Sequence, residues 1–205
     1  MPENKVHFGL KNAYYAKITR TVTAGVVSIT YGTPKSLPGS VSLSLDPSDE
    51  NTIFYADDTA YYTVPGIAKY EGDYETASVT RDFKKDIFGD IEDENGALVE
   101  VDGAETSDFA LLVEYSGDVG GQRQVFYNCS ASRPAAGSVT KEETTEVQTQ
   151  TITITAKTSE KGYVTGQKTV YPVQTYLNVG DEGYDTFFSA VYEPDFTVSN
   201  NNTNG

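Results

Sequence analysis

The chain has 205 residues, with 15 Lys and Arg against 30 Asp and Glu, one His, one Cys and no Trp, for a formal charge of -15. A zinc centre takes about four Cys or His ligands, so Cys129 and His7 can make neither a structural zinc site nor an internal disulfide. The longest apolar run, Phe109 to Val113, is far short of the ~20 residues of a membrane helix, and Met1-Pro2-Glu3-Asn4-Lys5 has no signal-peptide character. A soluble, intracellular product without membrane association is expected.

Thr, Val and Tyr number 25, 20 and 15, while Leu and Met number only 8 and 1. That balance favours strands over helices and makes the chain mainly β. Counting Gly but not Tyr, about 40% of the residues are apolar, below the ~45–50% of ordinary globular domains, so the core should be thin and completed by neighbouring subunits. The acidity is segregated. Residues 1–45 hold five bases and one acid, residues 46–120 four bases and 20 acids, and residues 121–205 six bases and nine acids. Ten aromatic residues punctuate the acidic block, which marks it as folded rather than disordered.

Along the chain, Val6 to Thr19 and Gly25 to Tyr31 read as strands, closed by Gly32-Thr33-Pro34. In Ser40 to Leu45, alternation puts Val41, Leu43 and Leu45 on one half-buried face. Asp46 to Asn51 is a polar break, and β character resumes at Ile53 to Tyr55 and Thr59 to Val64 around Asp57-Asp58, as a long hairpin or extended loop. From Ala68 to Val79, Glu71, Asp73 and Glu75 share one face and Tyr70, Gly72, Tyr74 and Thr76 the other. Three carboxylates on one face must meet water, because unpaired buried charge is too costly.

One short helix is expected over about 80–89. Thr80 caps it, Asp82 favours its positive end, Phe83 and Ile87 form an i, i+4 stripe, and Gly89 ends it. At about nine residues it cannot stand alone, so Phe83 and Ile87 must dock it on a sheet. Ala97 to Val101 and Asp108 to Tyr115 read as strands. The Gly117-Asp118-Val119-Gly120-Gly121 turn then leads into Gln122 to Ala131 as a hairpin. Val147 to Ala156 is a strand with a threonine face. Further strands are expected near Tyr163 to Thr175 and Thr186 to Tyr192, and Pro194 to Gly205 reads as a loose tail.

Catalytic signatures are weak. Asp90-Ile91-Glu92-Asp93-Glu94-Asn95-Gly96 fails the calcium-loop spacing, since Ile91 falls where the first carboxylate ligand belongs; it reads as a solvated turn. Paired carboxylates are too many to single out a glycosidase pair, and no Trp offers a sugar a stacking surface. Cys129 reads as a packed strand residue and His7 as a solvated one. No catalytic, cofactor or metal residue is assigned, and a binding or structural protein is expected rather than an enzyme.

The segments Asn4-Lys5-Val6-His7-Phe8-Gly9-Leu10-Lys11-Asn12, Pro38-Gly39-Ser40-Val41-Ser42-Leu43-Ser44-Leu45-Asp46-Pro47 and Phe54-Tyr55-Ala56-Asp57 resemble the major tail proteins of long-tailed phages of Gram-positive bacteria. So do, in the same order, Tyr70-Glu71-Gly72-Asp73, Asp82-Phe83-Lys84-Lys85-Asp86-Ile87-Phe88-Gly89, Asn128-Cys129-Ser130-Ala131-Ser132-Arg133-Pro134 and Glu146-Val147-Gln148-Thr149-Gln150-Thr151. The resemblance spans about residues 4–156. It implies a tail tube subunit: a β-sandwich or barrel-like domain over 1–193 with one flanking helix, and a flexible tail over 194–205. It also implies six copies per ring, and rings stacked into a tube that conducts the genome.

The resemblance further implies self-association, contact with tape-measure and tail tip or terminator proteins, double-stranded DNA passing without specific binding, no cofactor, and a place in the virion tail after assembly in the host cytoplasm. Within that frame Glu71, Asp73 and Glu75 are the lumen-facing candidates. The loop over 46–63, with Asp46, Phe54, Tyr55, Asp57, Asp58, Tyr61 and Tyr62, is the candidate joint between rings. A surface-adhesive β-sandwich domain is the alternative, and a glycosidase a distant third.

Overall fold

The computed structural model describes residues 5–48, 52–56, 59–64, 66, 68–117, 119–138, 140 and 148–196. Among these residues the chain is mainly β with one helix. Its strands are β1 (His7–Thr23), β2 (Val26–Tyr31), β3 (Lys35–Ser36), β4 (Ser40–Pro47), β5 (Thr52–Ala56), β6 (Thr59–Val64) and β7 (Tyr70–Thr76), then helix α1 (Arg81–Phe88). There follow β8 (Ile91–Glu92), β9 (Leu98–Val99), β10 (Phe109–Gly117), β11 (Gln122–Ala131), β12 (Gln150–Lys157), β13 (Tyr163–Thr165), β14 (Lys168–Val170) and β15 (Gln174–Asn178). One antiparallel sheet runs β2-β1-β10-β11-β12-β7-β4, with β15 also on β11 and β3 on β1. Three two-stranded ribbons stand beside it: β5-β6, β8-β9 and β13-β14.

The sheet has a core on each face. Phe109, Leu111 and Val113 of β10 point to one core with Tyr15, Tyr74, Phe126, Ile152 and Ile154. Ala110 and Leu112 point to the other, with Val125, Tyr127, Leu177, Tyr184 and Phe187. Burial on both faces explains why β10 reads as an unbroken apolar run instead of an alternation. The second core is covered by residues 181–190, a series of turns and bends rather than the strand expected over Thr186 to Tyr192. Tyr184 and Phe187, with Val191 just after them, drop onto the sheet, at an i, i+3, i+7 spacing that a strand cannot present on one face.

Helix α1 closes the first core. Thr80 Oγ1 accepts the Phe83 N–H at 3.3 Å, and Gly89, at φ 73°, donates to the Lys84 carbonyl. Phe83 and Ile87 are buried, as the stripe requires, and Phe88 is buried with them. The Phe83 ring meets Tyr15, Phe88 and Phe109 edge-on at centroid distances of 4.9, 5.4 and 5.3 Å. The Tyr15 hydroxyl donates to Asp86 at 2.7 Å and Lys35 pairs with the same carboxylate at 2.6 Å, so the helix is held by its apolar and polar sides alike.

Strand β4 departs from simple alternation. A register shift between Ser40 and Ser42 makes Val41 a bulge residue, so it is 51% exposed while Leu43 and Leu45 pack against the core. The strand also runs on through Asp46 to Pro47, where a polar break is expected. The anticipated hairpin is present as β5-β6, with Phe54 opposite Tyr62 and Tyr55 opposite Ala60.

Replacing Phe83 with Ala removes a ring at the junction of three others and should cost ~3–5 kcal/mol. Lys84→Ala, away from the buried stripe, should stay within about 0.5 kcal/mol. Urea unfolding of both variants checks the pair; equal midpoints would mean that the helix is not docked through Phe83.

Candidate functional site

Strands β4, β7 and β12 lie side by side, and their register builds a polar face. Glu75 sits between Ser42 and Thr151, Asp73 between Ser44 and Thr153, and Glu71 between Asp46 and Thr155. Successive strand residues point to opposite faces, so the carboxylates of Glu71, Asp73 and Glu75 form one row, flanked by hydroxyls and by Asp46. On the opposite face of β7, Tyr74 and Thr76 are buried, and the Tyr74 hydroxyl bonds Ser40 at 2.7 Å.

The hydroxyl rows hold the carboxylates in place. Thr153 Oγ1 donates to Asp73 at 2.9 Å, Thr149 Oγ1 to Glu75 at 2.5 Å and Ser42 Oγ to Glu75 at 3.1 Å. Lys69 pairs with Glu71 at 3.1 Å, with both side chains part-exposed, a geometry that contributes little in water. Each acid stays at least partly exposed. Gly72 is required beneath them: a Cβ there would lie 1.9 Å from the Ser44 carbonyl oxygen, so any side chain would push β4 off β7.

Asp46, taken from sequence as the start of a loop, belongs instead to β4, opposite Glu71. It adds a fourth carboxylate to this face. Phe54, Tyr55, Tyr61 and Tyr62 lie on the β5-β6 ribbon, which pairs only with itself among the described residues; Asp57 and Asp58 fall outside those residues.

The catalytic alternatives are not assembled by the fold. His7 pairs with Gly117 and Cys129 with Phe109, so the two residues sit at opposite ends of β10, roughly 25 Å apart at ~3.3 Å per residue. Cys129 is fully buried, and burial pushes its thiol well above the usual range. In the Asp90 to Gly96 segment, Asp93 accepts the backbone N–H groups of Asn95 and Ala97 at 3.0 and 2.7 Å, while Asp90 is buried and paired with Arg133 at 2.6 Å. Among the described residues no group of three His, Cys, Asp or Glu side chains is placed to hold a metal ion, and no helix is long and apolar enough to cross a membrane.

Three charged clamps escape sequence reasoning because most of their partners are far apart in the chain. Arg20 holds Asp108 at 2.5 Å and Glu160 at 2.6 Å. Arg133 bridges Asp90 and Glu100, and its guanidinium lies over the Phe88 ring. Arg123 pairs with buried Glu114 at 3.2 Å, lies 4.0 Å from the Tyr184 ring centroid and donates to the Tyr184 carbonyl. Such a clamp ties the covering turn at Tyr184 to the sheet. No protein-family model and no curated protein matches this chain.

Burial pushes the Glu114 carboxyl up, but the Asn12 hydrogen bond and the charges of Arg123 and Lys11 outweigh it and hold the group below its ordinary value. Asp86 is held down in the same way, with Lys35 and Tyr15 outweighing burial. Both carboxylates thus add stability that is present above their unfolded values, near pH ~4, and lost as pH falls through the lower folded values. Glu114→Gln should therefore lower stability at pH 7 and flatten the acid limb of a stability-against-pH curve. An acid limb as steep as that of the parent protein would exclude Glu114 as a contributor.

Proposed function

We propose that this chain is a structural virion protein, a tail tube subunit. Six copies form a ring, and stacked rings make the conduit through which the phage genome leaves the capsid. The observation that carries the reading is the carboxylate row of β7 between its hydroxyl-bearing neighbours, a face with four acids on which, among the described residues, Lys69 alone makes an ion pair. Duplex DNA presents about one negative charge per 1.7 Å. A wall of Glu71, Asp73, Glu75 and Asp46 repels it over a Debye length of ~8 Å, which keeps the duplex from adhering, whereas a basic wall would hold it. The order of motifs shared with major tail proteins over residues 4–156 supports the same reading.

In this reading the lumen is lined by β4, β7 and β12, and the β5-β6 ribbon reaches the adjoining ring. The tape-measure protein and the tail tip or terminator proteins are its partners in this reading. The protein works in the virion tail after assembly in the host cytoplasm.

Purified protein should form rings or tubes visible by negative-stain microscopy. Deleting residues 52–64 should leave folded monomers or single rings, and tubes of normal length from that variant would remove the ribbon from the ring joint. Changing Glu71, Asp73 and Glu75 to Gln, Asn and Gln should preserve assembly but reduce DNA delivery, and Lys at all three should reduce it further by creating a phosphate-binding wall. Phage with Lys-lined tubes and normal infectivity would overturn the lumen assignment.

A further inference from the structure

Strand β11 carries Tyr127 into the second core, where the end of β2 brings Tyr31 and the start of β13 brings Tyr163. The Tyr127 ring neighbours both, at centroid distances of 6.3 Å from Tyr31 and 6.4 Å from Tyr163. Tyr127 is 0% exposed and Tyr163 8%. Their hydroxyl oxygens are sealed from solvent, and among the described residues neither has a hydrogen-bond partner. A buried hydroxyl left unpaired costs more than its bond would contribute, and native interiors keep few such groups.

The nearest protein partners are already engaged. Ser159 Oγ, in a buried residue, accepts the Lys161 N–H at 3.0 Å and meets the Tyr31 hydroxyl at 3.1 Å. The Glu193 carboxylate gives both oxygens to the Lys161 ammonium, at 2.6 Å each. Polar groups nevertheless converge on the two hydroxyls. Burial raises the pKa of Tyr31, Tyr127 and Tyr163, and the negative charge of Glu193 adds to the rise in each, which places that carboxylate near all three. The Tyr31 hydroxyl also acts on Tyr163, and the Thr175 side chain on Tyr127, yet none of them meets its neighbour in hydrogen-bond geometry. Polar groups that close to one another without bonding are separated by the space a bridging water takes. A cleft of about 340 Å³ opens beside them, bordered by Ile29, Tyr31, Lys161, Val191 and Glu193, and gives water a short way in.

We propose that Tyr127 and Tyr163 share an internal hydration site, in which a water bridges the two hydroxyls and makes a further bond to Tyr31. A phenol hydroxyl both donates and accepts, so Tyr31 keeps a lone pair for the water whichever way its bond to Ser159 runs. The site joins β11 of the sheet to β13. Because β13 pairs only with β14 among the described residues, the water is part of what fastens that ribbon to the sheet. The site needs only the folded chain and stands whether or not copies assemble.

Tyr127→Phe and Tyr163→Phe each remove one hydroxyl from the site, and a hydrated and a dry site respond with opposite signs. A hydrated hydroxyl is lost together with its bond, so each variant should melt about 2–4 °C lower than the parent. A dry one is lost together with its penalty, and each variant would melt higher. Because the water is shared, the double variant should fall by clearly less than the sum of the two single losses. Tyr171→Phe, on a 54% exposed side chain, is the control and should melt like the parent. A crystal structure at a resolution that shows ordered waters should place one about 2.8 Å from both hydroxyl oxygens. A melting temperature unchanged or raised in either Phe variant, additive losses in the double variant, or no density between the hydroxyls would overturn the site.

Discussion

An ionised carboxylate cannot be buried without a partner, and a strand sends alternate residues to opposite faces. Together these constraints fix β7, and much of the molecule follows from β7. With Glu71, Asp73 and Glu75 obliged to meet water, Tyr74 and Thr76 must enter the core. The strands on either side then take the register that puts Ser42, Ser44, Thr151 and Thr153 beside the acids. A one-residue slip of β7 would bury three charges and expose Tyr74, so register here is set by an energy difference far larger than any single hydrogen bond. Gly72 supplies the remaining condition, letting β4 approach closely enough to pair.

The acids divide by what faces them. Asp86, Asp90, Glu114 and Glu160 each meet a Lys or Arg, and all but Glu160 are at least part-buried. They tie the helix, the 89–108 excursion and the covering turns to the sheet. The β7 row is met mostly by hydroxyls. A hydroxyl orients a carboxylate without cancelling its charge. The first group serves the fold, and the second leaves a field outside it, which is the property a conduit for DNA calls for.

Periodicity made the local elements legible. The helix with its Thr80 and Gly89 caps, the β7 alternation and the β10-β11 hairpin are all written in neighbouring residues, and each is found. The Val41 bulge was not legible, because the register shift that exposes it arises from the pairing of β4 with β7. The turns over 181–190 were misread as a strand because Phe187 and Val191 are spaced for burial by either structure, and the deciding fact is the waiting apolar face of β10 and β11. The clamps join residues such as Arg20 and Glu160, separated by 140 positions, and no local pattern marks such a pair. Of the candidate site, sequence placed three carboxylates on one face; the flanking hydroxyls and Asp46 appeared only with the strand order.

A chain of charge -15 faces repulsion whenever it meets a copy of itself, and the distribution of that charge decides whether association is open to it. An even spread would set acid against acid in almost every contact. Here the opening segment over 4–45 is free of acid, and the acids gather in the middle block. Contacts that join unlike blocks are favoured over those that join like ones, and the preference acts at short range because screening removes it beyond ~8 Å. Head-to-tail association of unlike surfaces satisfies this condition, whereas a two-fold contact centred on the middle block would set its acids against one another. In the proposed tail tube, the same segregation that leaves the β7 face negative favours a repeating, head-to-tail arrangement over a closed pair.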